Sequence, residues 1–539
     1  MDPGPAPDAS LWWKSGVVYQ VYPRSFQDSN GDGVGDLPGI TGRLDHLAAL
    51  GVDAIWISPF YPSPMKDFGY DVADYTGVDP IFGTLADFDR LLAAAHARGL
   101  KVIIDWVPNH TSEEHPWFRS SRQSRADPHR DFYVWRDPGP GGALPNNWLS
   151  TFGGPAWTLD PATGQYYLHS FLREQPDLNW RNPQVRRAML DTLRFWLERG
   201  VDGFRIDVAH RIMKDPLLRD NPPNPGVRQF HKDMGPYGSQ LHLHDGAHPD
   251  VHEVYREVRR LVDSYGAERP RMTIGEIHLF DPRALVAFYG SQLDELHMPF
   301  NFTLLGTPWE AEAVCRTVEA MEAALPSGAW PNWVLGNHDD SRIASRIGEA
   351  ASRAAMMLLL TLRGTPTIYY GDEIGMVDVP VPADRVQDPW ESRVPGHGRD
   401  PERTPMQWDA TRNAGFTSPD AIPWLPLAAD AARRNVESQA GDPASMLSLT
   451  RALLRLRRER RALHAGSFRA VEGTPPGVFA YLRQDGAERL FVAINFGSRP
   501  VQLSVPGRKP KLLASTHSAA PGLPGIALRA DEGVVIELA

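Results

Sequence analysis

The chain has 539 residues, 42% of them hydrophobic and 23% charged, which excludes both a single small binding module and wholesale disorder. Its 56 basic and 66 acidic residues leave a net charge of −10, opposite in sign to the footprint that nucleic acid requires. A single cysteine, Cys315, excludes an internal disulfide framework and is expected to be a small buried hydrophobe. The opening residues, MDPGPAPDAS, have neither the basic nor the apolar region of a signal peptide, and apolar runs fall far short of the ~20 residues of a membrane span. A cytoplasmic protein with no nucleic-acid or membrane partner is expected.

In chain order, β-branched and apolar runs bounded by turn residues fall at 17–22, 54–58, 102–106, 203–208, 272–277, 295–300, 333–337 and 366–370. Helix-length segments lie between them, such as 85–98 before Gly99 and 185–199 before Gly200. Eight such units predict an α/β fold, a (β/α)8 TIM barrel. The first barrel part is placed at 12–108. Residues 109–180, rich in Pro, Gly, Trp and Asn with a strand-like piece at 165–169, form an inserted small domain after strand three. The barrel resumes over 181–462, with a long insertion after strand eight at about 376–424. Alternating runs at 478–482, 490–495, 501–505 and 534–538 predict a C-terminal antiparallel β-sandwich domain over 463–539.

Catalytic groups of such barrels sit at the carboxyl ends of the strands. Strand three ends in Asp105-Trp106-Val107-Pro108-Asn109-His110, strand four in Arg205-Ile206-Asp207, strand five in Gly275-Glu276 and strand seven in Asn337-His338-Asp339. Several carboxylates, two histidines and an arginine on one face serve glycoside hydrolysis, which needs one protonated and one ionised carboxyl. Arg205, two residues before Asp207 on the same strand face, favours an ionised Asp207 and hence the nucleophile role. Glu276, flanked by Ile274 and Ile277 with no adjacent cation, suits the general acid. Asp339 is left to bind ring hydroxyls. Chemistry alone also permits Glu276 as nucleophile.

Asp28, Asn30, Asp32, Val34 and Asp36 place oxygens at alternate positions between glycines, as a loop for a hard cation does, Val34 through its carbonyl. Position twelve is Gly39 and not glutamate, so this is no EF-hand; a polar turn with Asx caps is the alternative. His242, His244 and His248 have metal-like spacing but read as a solvated loop, within 216–249, at the pocket entrance.

DWVPNH (105–110), GFRIDVAH (203–210), IGE (274–276) and GNHD (336–339), in that order, resemble the α-amylase superfamily of retaining glycoside hydrolases, glycoside hydrolase family 13. QPDLNW (175–180) and RTPMQW (403–408) resemble its oligo-1,6-glucosidase and α-glucosidase branch. The resemblance covers nearly the whole chain. It implies Asp207 as nucleophile, Glu276 as acid/base and Asp339 as transition-state stabiliser. His110, Arg205 and His338 become sugar contacts, and Asp67, Tyr70 and Arg403 close a blind pocket end around a terminal glucose, with a structural salt bridge as the alternative for Asp67 and Arg403. It also implies a structural Ca2+ in the 28–36 loop and no catalytic cofactor.

An exo-acting α-glucosidase of short oligosaccharides is the function so implied. Val208 resembles α-1,6-preferring members, whereas Ala209-His210 resembles bacterial α-glucosidases, so both linkages are expected. Trp56, Tyr70 and Phe171 are candidates for sugar stacking. Isomerisation is disfavoured because the stretch from His297 lacks an Arg- and Asp-rich patch; transfer to another sugar and action on sucrose or trehalose are alternatives. A catalytically silent carbohydrate-binding homologue would lack a carboxylate, and none is missing.

Overall fold

The computed structural model describes residues 11–265, 269–507, 509–517 and 525–538. The N-terminal segment 1–10, residues 266–268 and a few C-terminal-domain positions lie outside them.

Eight parallel strands form one sheet in the order Asn332–Val334, Thr365–Tyr369, Val18–Val21, Ala54–Ile57, Lys101–Trp106, Gly203–Ile206, Met272–Ile277 and Met298–Asn301. The two end strands lie against each other, so the sheet is a nearly closed barrel. Strand period places alternate residues inside. Val18, Trp56, Ile103, Met272, Ile274, Met298, Phe300 and Val334 pack into an inner core. Their neighbours, among them Tyr19, Ile55, Val102, Ile104 and Phe204, face the surrounding helices in the larger outer core. Continuing the inner phase toward the strand ends puts Asp105, Arg205 and Glu276 over that inner core.

Local signals bound the helices as the sequence indicates. Leu85–Ala97 begins at Thr84 with a reciprocal Thr84/Asp87 capping box, and Pro183–Arg199 begins at Asn182 and ends at Gly200, whose φ of 106° is costly for other residues. Strand four stops at Ile206, before the expected Val208, because Val208 turns left-handed (φ 34°, ψ 46°).

The 109–180 insertion carries a three-stranded antiparallel sheet in the order Trp135–Arg136, Gln165–Leu168, Trp157–Asp160. The C-terminal region carries a five-stranded antiparallel sheet and a two-stranded one, Val501–Ser504 with Gly525–Leu528, which share an apolar core. Cys315 is only half-buried, on the helix Ala311–Ala324. Among the described residues no helix is long and apolar enough to cross a membrane.

Candidate active site

One cavity, open at its mouth, lies over the carboxyl ends of the barrel strands. Asp207, Glu276 and Asp339 share its wall with Asp67, Tyr70, His110, Phe171, Val208 and His338. Strands four, five and seven, the insertion and the long connections thus bring together residues more than two hundred positions apart.

Arg205 is the hub. It is 1% exposed, lies over the Trp56 ring at 5.0 Å, and reaches three carboxylates: Asp105 at 2.6 Å, Asp207 at 2.9 Å and Glu276 at 2.7 Å. Trp56 is therefore a floor beneath Arg205, with Nε1 donating to Asp105 Oδ2 at 2.8 Å, and not the sugar-stacking face expected.

Glu276 is far from lacking a cation. Besides Arg205 it accepts from Val208 N at 2.8 Å and from His278 Nε2 at 2.8 Å. Against the penalty of burial, Arg205 and His278 hold Glu276 well below the usual carboxylate range. Burial, then the charge of Glu276, push Asp207 well above it despite Arg205. Burial and the neighbouring charge thus favour the protonated form of Asp207, while Glu276 stays ionised. Sequence reasoning assigned Arg205 to Asp207 alone and overlooked His278, although its spacing of two from Glu276 puts both on one strand face.

The left-handed Val208 aims its amide at Glu276. A β-branched residue there is strained, and such strain gathers at functional sites.

Asp339 is held by Arg403 at 2.9 Å, Arg399 at 3.1 Å and His338 at 3.3 Å. Burial opposes its charge, but these three keep it well below the usual range. The His338 ring stacks parallel to Tyr70 at 5.3 Å and bonds Gln20 Nε2 at 2.7 Å; burial pushes it down to about 3. Burial likewise brings His110 to about 4, so both imidazoles are neutral hydrogen-bonding groups at neutral pH.

The arginine that pairs with Asp67 is Arg399, at 2.8 Å, and not Arg403 as expected. Arg403, 1% exposed and off the cavity wall, lies behind Asp339 and donates Nε to the His338 carbonyl at 2.7 Å. The physical reason is local: Asp388 holds Arg399 at 2.8 Å in the connection after strand eight, which leaves its Nη atoms facing Asp67 and Asp339. No periodicity marks Arg399 in the sequence. Phe230, His231, Lys232, Met234 and Tyr237 of the 216–249 connection also line the mouth. His242, His244 and His248 each lie near a different carboxylate, Asp245, Asp215 and Asp250, and not around a common point.

The 28–36 loop stands apart from this cavity. Asp28, Asn30 and Asp32 accept backbone amides two residues on, and Asp36 caps Gly39 N. Asp28 and Asp36 are nearly fully buried and face no ion-pair partner among the described residues; their oxygens accept instead from Gly31 N, Gly33 N and Thr417 on Asp28 and from Ser29 N and Oγ on Asp36. Among the described residues no three His, Cys, Asp or Glu side chains group as a metal site by themselves. Any cation here depends also on Asn30 and the Val34 carbonyl, a donor chemistry that fits Ca2+.

A strand-end cavity with three carboxylates, two of which are pushed in opposite directions from the usual range, has the machinery of glycoside hydrolysis. The alpha-amylase catalytic-domain model matches residues 20–466. The chain belongs to the α-amylase family. It is a glycoside hydrolase. It is 44% identical to a protein named "Probable alpha-glucosidase" from Rhizobium meliloti (strain 1021) and 40% identical to an oligo-1,6-glucosidase from Parageobacillus thermoglucosidasius, with 92% of each chain covered in both comparisons. Among solved structures it matches an α-glucosyl transfer enzyme, XgtA, with a TM-score of 0.93 and 42% identity over 99% of this chain and 100% of that one.

Proposed function

We propose that this α-amylase-family enzyme is an exo-acting, retaining α-glucosidase that releases glucose from the non-reducing end of short α-1,4- and α-1,6-glucosides. The observation that carries the reading is the buried Asp67–Arg399 pair, 2.8 Å apart on the cavity wall, which in this reading closes the inner end against a longer chain. The names of the two curated relatives support the same substrate class.

In this reading the glucose ring lies between Tyr70, His110, Phe171 and His338, with Asp67 and Arg399 on its outer hydroxyls. Positive charge developing at C1 favours an ionised Asp207, and the proton of the pair passes to Glu276. An Asp207 oxygen attacks C1, the C1–O bond breaks, and the leaving oxygen takes the proton from Glu276. Glu276 then takes a proton from water, whose oxygen attacks C1 and frees Asp207. Asp339, fixed by two arginines, accepts ring hydroxyls most tightly in the distorted transition state. A structural Ca2+ would be held in the 28–36 loop by Asp28, Asn30, Asp32, Asp36 and the Val34 carbonyl, where it would neutralise the loop's carboxylates.

The test is a product profile on maltose, isomaltose, sucrose, trehalose and maltooligosaccharides, with p-nitrophenyl α-glucoside turned over by wild type and by Asp207→Asn. Glucose from maltose or isomaltose, lost in the variant, is expected; equal rates would refute the nucleophile.

A second outcome of the same intermediate, transfer of glucose to another hydroxyl, is favoured by the aromatic and apolar mouth of Phe230, Met234 and Tyr237 and by the likeness to XgtA. Glucosylated acceptor formed at the expense of free glucose would identify it.

A further inference from the structure

Glu276 receives three donors, and they differ in one respect. Arg205 and the Val208 amide are enclosed and occupy Oε2, whereas His278 donates to Oε1 at 2.8 Å from the cavity wall, with its side chain 24% exposed. The His278 ring is held flat, 4.7 Å from Phe302 with 2° between the planes. A ring stacked on one face and hydrogen-bonded through Nε2 to a carboxylate is placed to fix the orientation of that carboxyl.

The groups facing His278 leave this bond as its main polar contact. On its own strand there is Glu276. From the turn after strand four comes His210, ring centroids 5.9 Å apart, which burial pushes down to about 3. From the 216–249 connection comes His231, stacked at 6.0 Å and turned away to bond Asp340 at 2.5 Å; Lys232 neutralises that same aspartate at 3.3 Å. Arg205, Arg211 and Asp339 stand beyond these, and Phe302 brings no charge.

We propose that His278 is a positioning residue for the reaction, orienting the Glu276 carboxyl and setting the pH at which it gives up its proton. The proposal rests on the reading of Glu276 as acid/base. The hydrogen bond is stronger to a carboxylate than to a carboxylic acid, so His278 stabilises Glu276 as its proton departs to the glycosidic oxygen. It also fixes the rotation of the carboxyl for the second step, in which Glu276 takes a proton from water. No proton is gained or lost by His278 in either step.

The experiment compares His278→Phe and His278→Gln with wild type, using maltose and α-glucosyl fluoride, whose leaving group departs without a proton. The readout is kcat/KM, which reports the first bond-breaking step. His278→Phe keeps the contact with Phe302 and removes the donor. It is expected to lower kcat/KM on maltose about tenfold, the effect of one hydrogen bond to a charged group, and on the fluoride by no more than about twofold. The basic limb of the pH profile on maltose moves to higher pH, because losing a donor to the carboxylate makes Glu276 hold its proton longer. His278→Gln restores the donor and returns rate and limb toward wild type. Equal losses on both substrates with an unmoved limb, or no change at all, overturn the proposal. Glu276→Gln separates its failure from that of the underlying reading: if that variant depresses both substrates equally, Glu276 is not the acid, and the role of His278 falls with it.

Discussion

Arg399 Nη2 lies 2.8 Å from Asp67 Oδ1, and the same guanidinium is gripped by Asp388 at 2.8 Å through two nitrogens. The arginine is thus fixed whether or not Asp67 keeps its charge, which makes Asp67 the cleaner residue to change. Asp67→Asn is expected to lower kcat/KM on maltose by about a hundredfold, the scale of losing a charged hydrogen bond to sugar and leaving Arg399 partly unmatched. The loss on longer maltooligosaccharides should be smaller, since a loosened inner end admits more chain. A uniform loss across chain lengths would remove the blind end from the argument.

His338 supplies a pH dependence of stability whose sign is set by burial. Its folded value is near 3 while an unfolded histidine titrates near 6.5, so below about 6.5 the unfolded state binds the extra proton. The contribution is present above that pH and is lost progressively as pH falls toward 3. Between pH 7 and pH 5 it amounts to about 2 kcal/mol. His338→Asn cannot take up that proton, so the gap in melting temperature between wild type and variant should narrow on acidification. A gap constant over that range would mean that His338 is not held neutral.

The 28–36 loop gives a prediction independent of catalysis. Asp28 and Asp36 are buried without an ion pair, and burial pushes Asp36 up. If Ca2+ sits there, chelator should lower the melting temperature and added Ca2+ restore it, as binding to the folded state requires. Asp32→Ala, at an exposed position, should abolish the response while leaving kcat on maltose nearly unchanged. An unchanged melting temperature in chelator would show that the Asx turns suffice by themselves.

What the sequence made legible follows a rule of range. The barrel strands and the catalytic carboxylates were readable because strand period and position at a strand end are local properties: Asp207 and Glu276 sit where alternation puts them. The His278 contact with Glu276 was readable by the same period and was missed. The Asp67 partner was not readable, because 332 positions separate it from Arg399 and only the packing of an irregular connection decides which of two nearby arginines reaches it. The proton distribution was not readable either: Arg205 lies two residues from Asp207 in sequence but only in the folded barrel does it meet Asp105 and Glu276 as well.

That shared cation makes Arg205 the residue whose replacement should be felt most widely. Its fork serves Asp105, Asp207 and Glu276 together, all buried, and a lysine ammonium is a point charge without that planar reach. Arg205→Lys therefore leaves at least one buried carboxylate unmatched, a defect worth roughly 3–5 kcal/mol when a partner is removed outright, so a lower melting temperature is expected. The pH profile carries the more specific signature. Withdrawing positive charge from the Asp207–Glu276 pair raises both of its titrations, and the singly protonated form is the active one. Both limbs of kcat/KM on maltose should move to higher pH, with the maximum reduced by about a thousandfold. A variant as stable as wild type, with both limbs in place, would show that the three carboxylates do not depend on one cation.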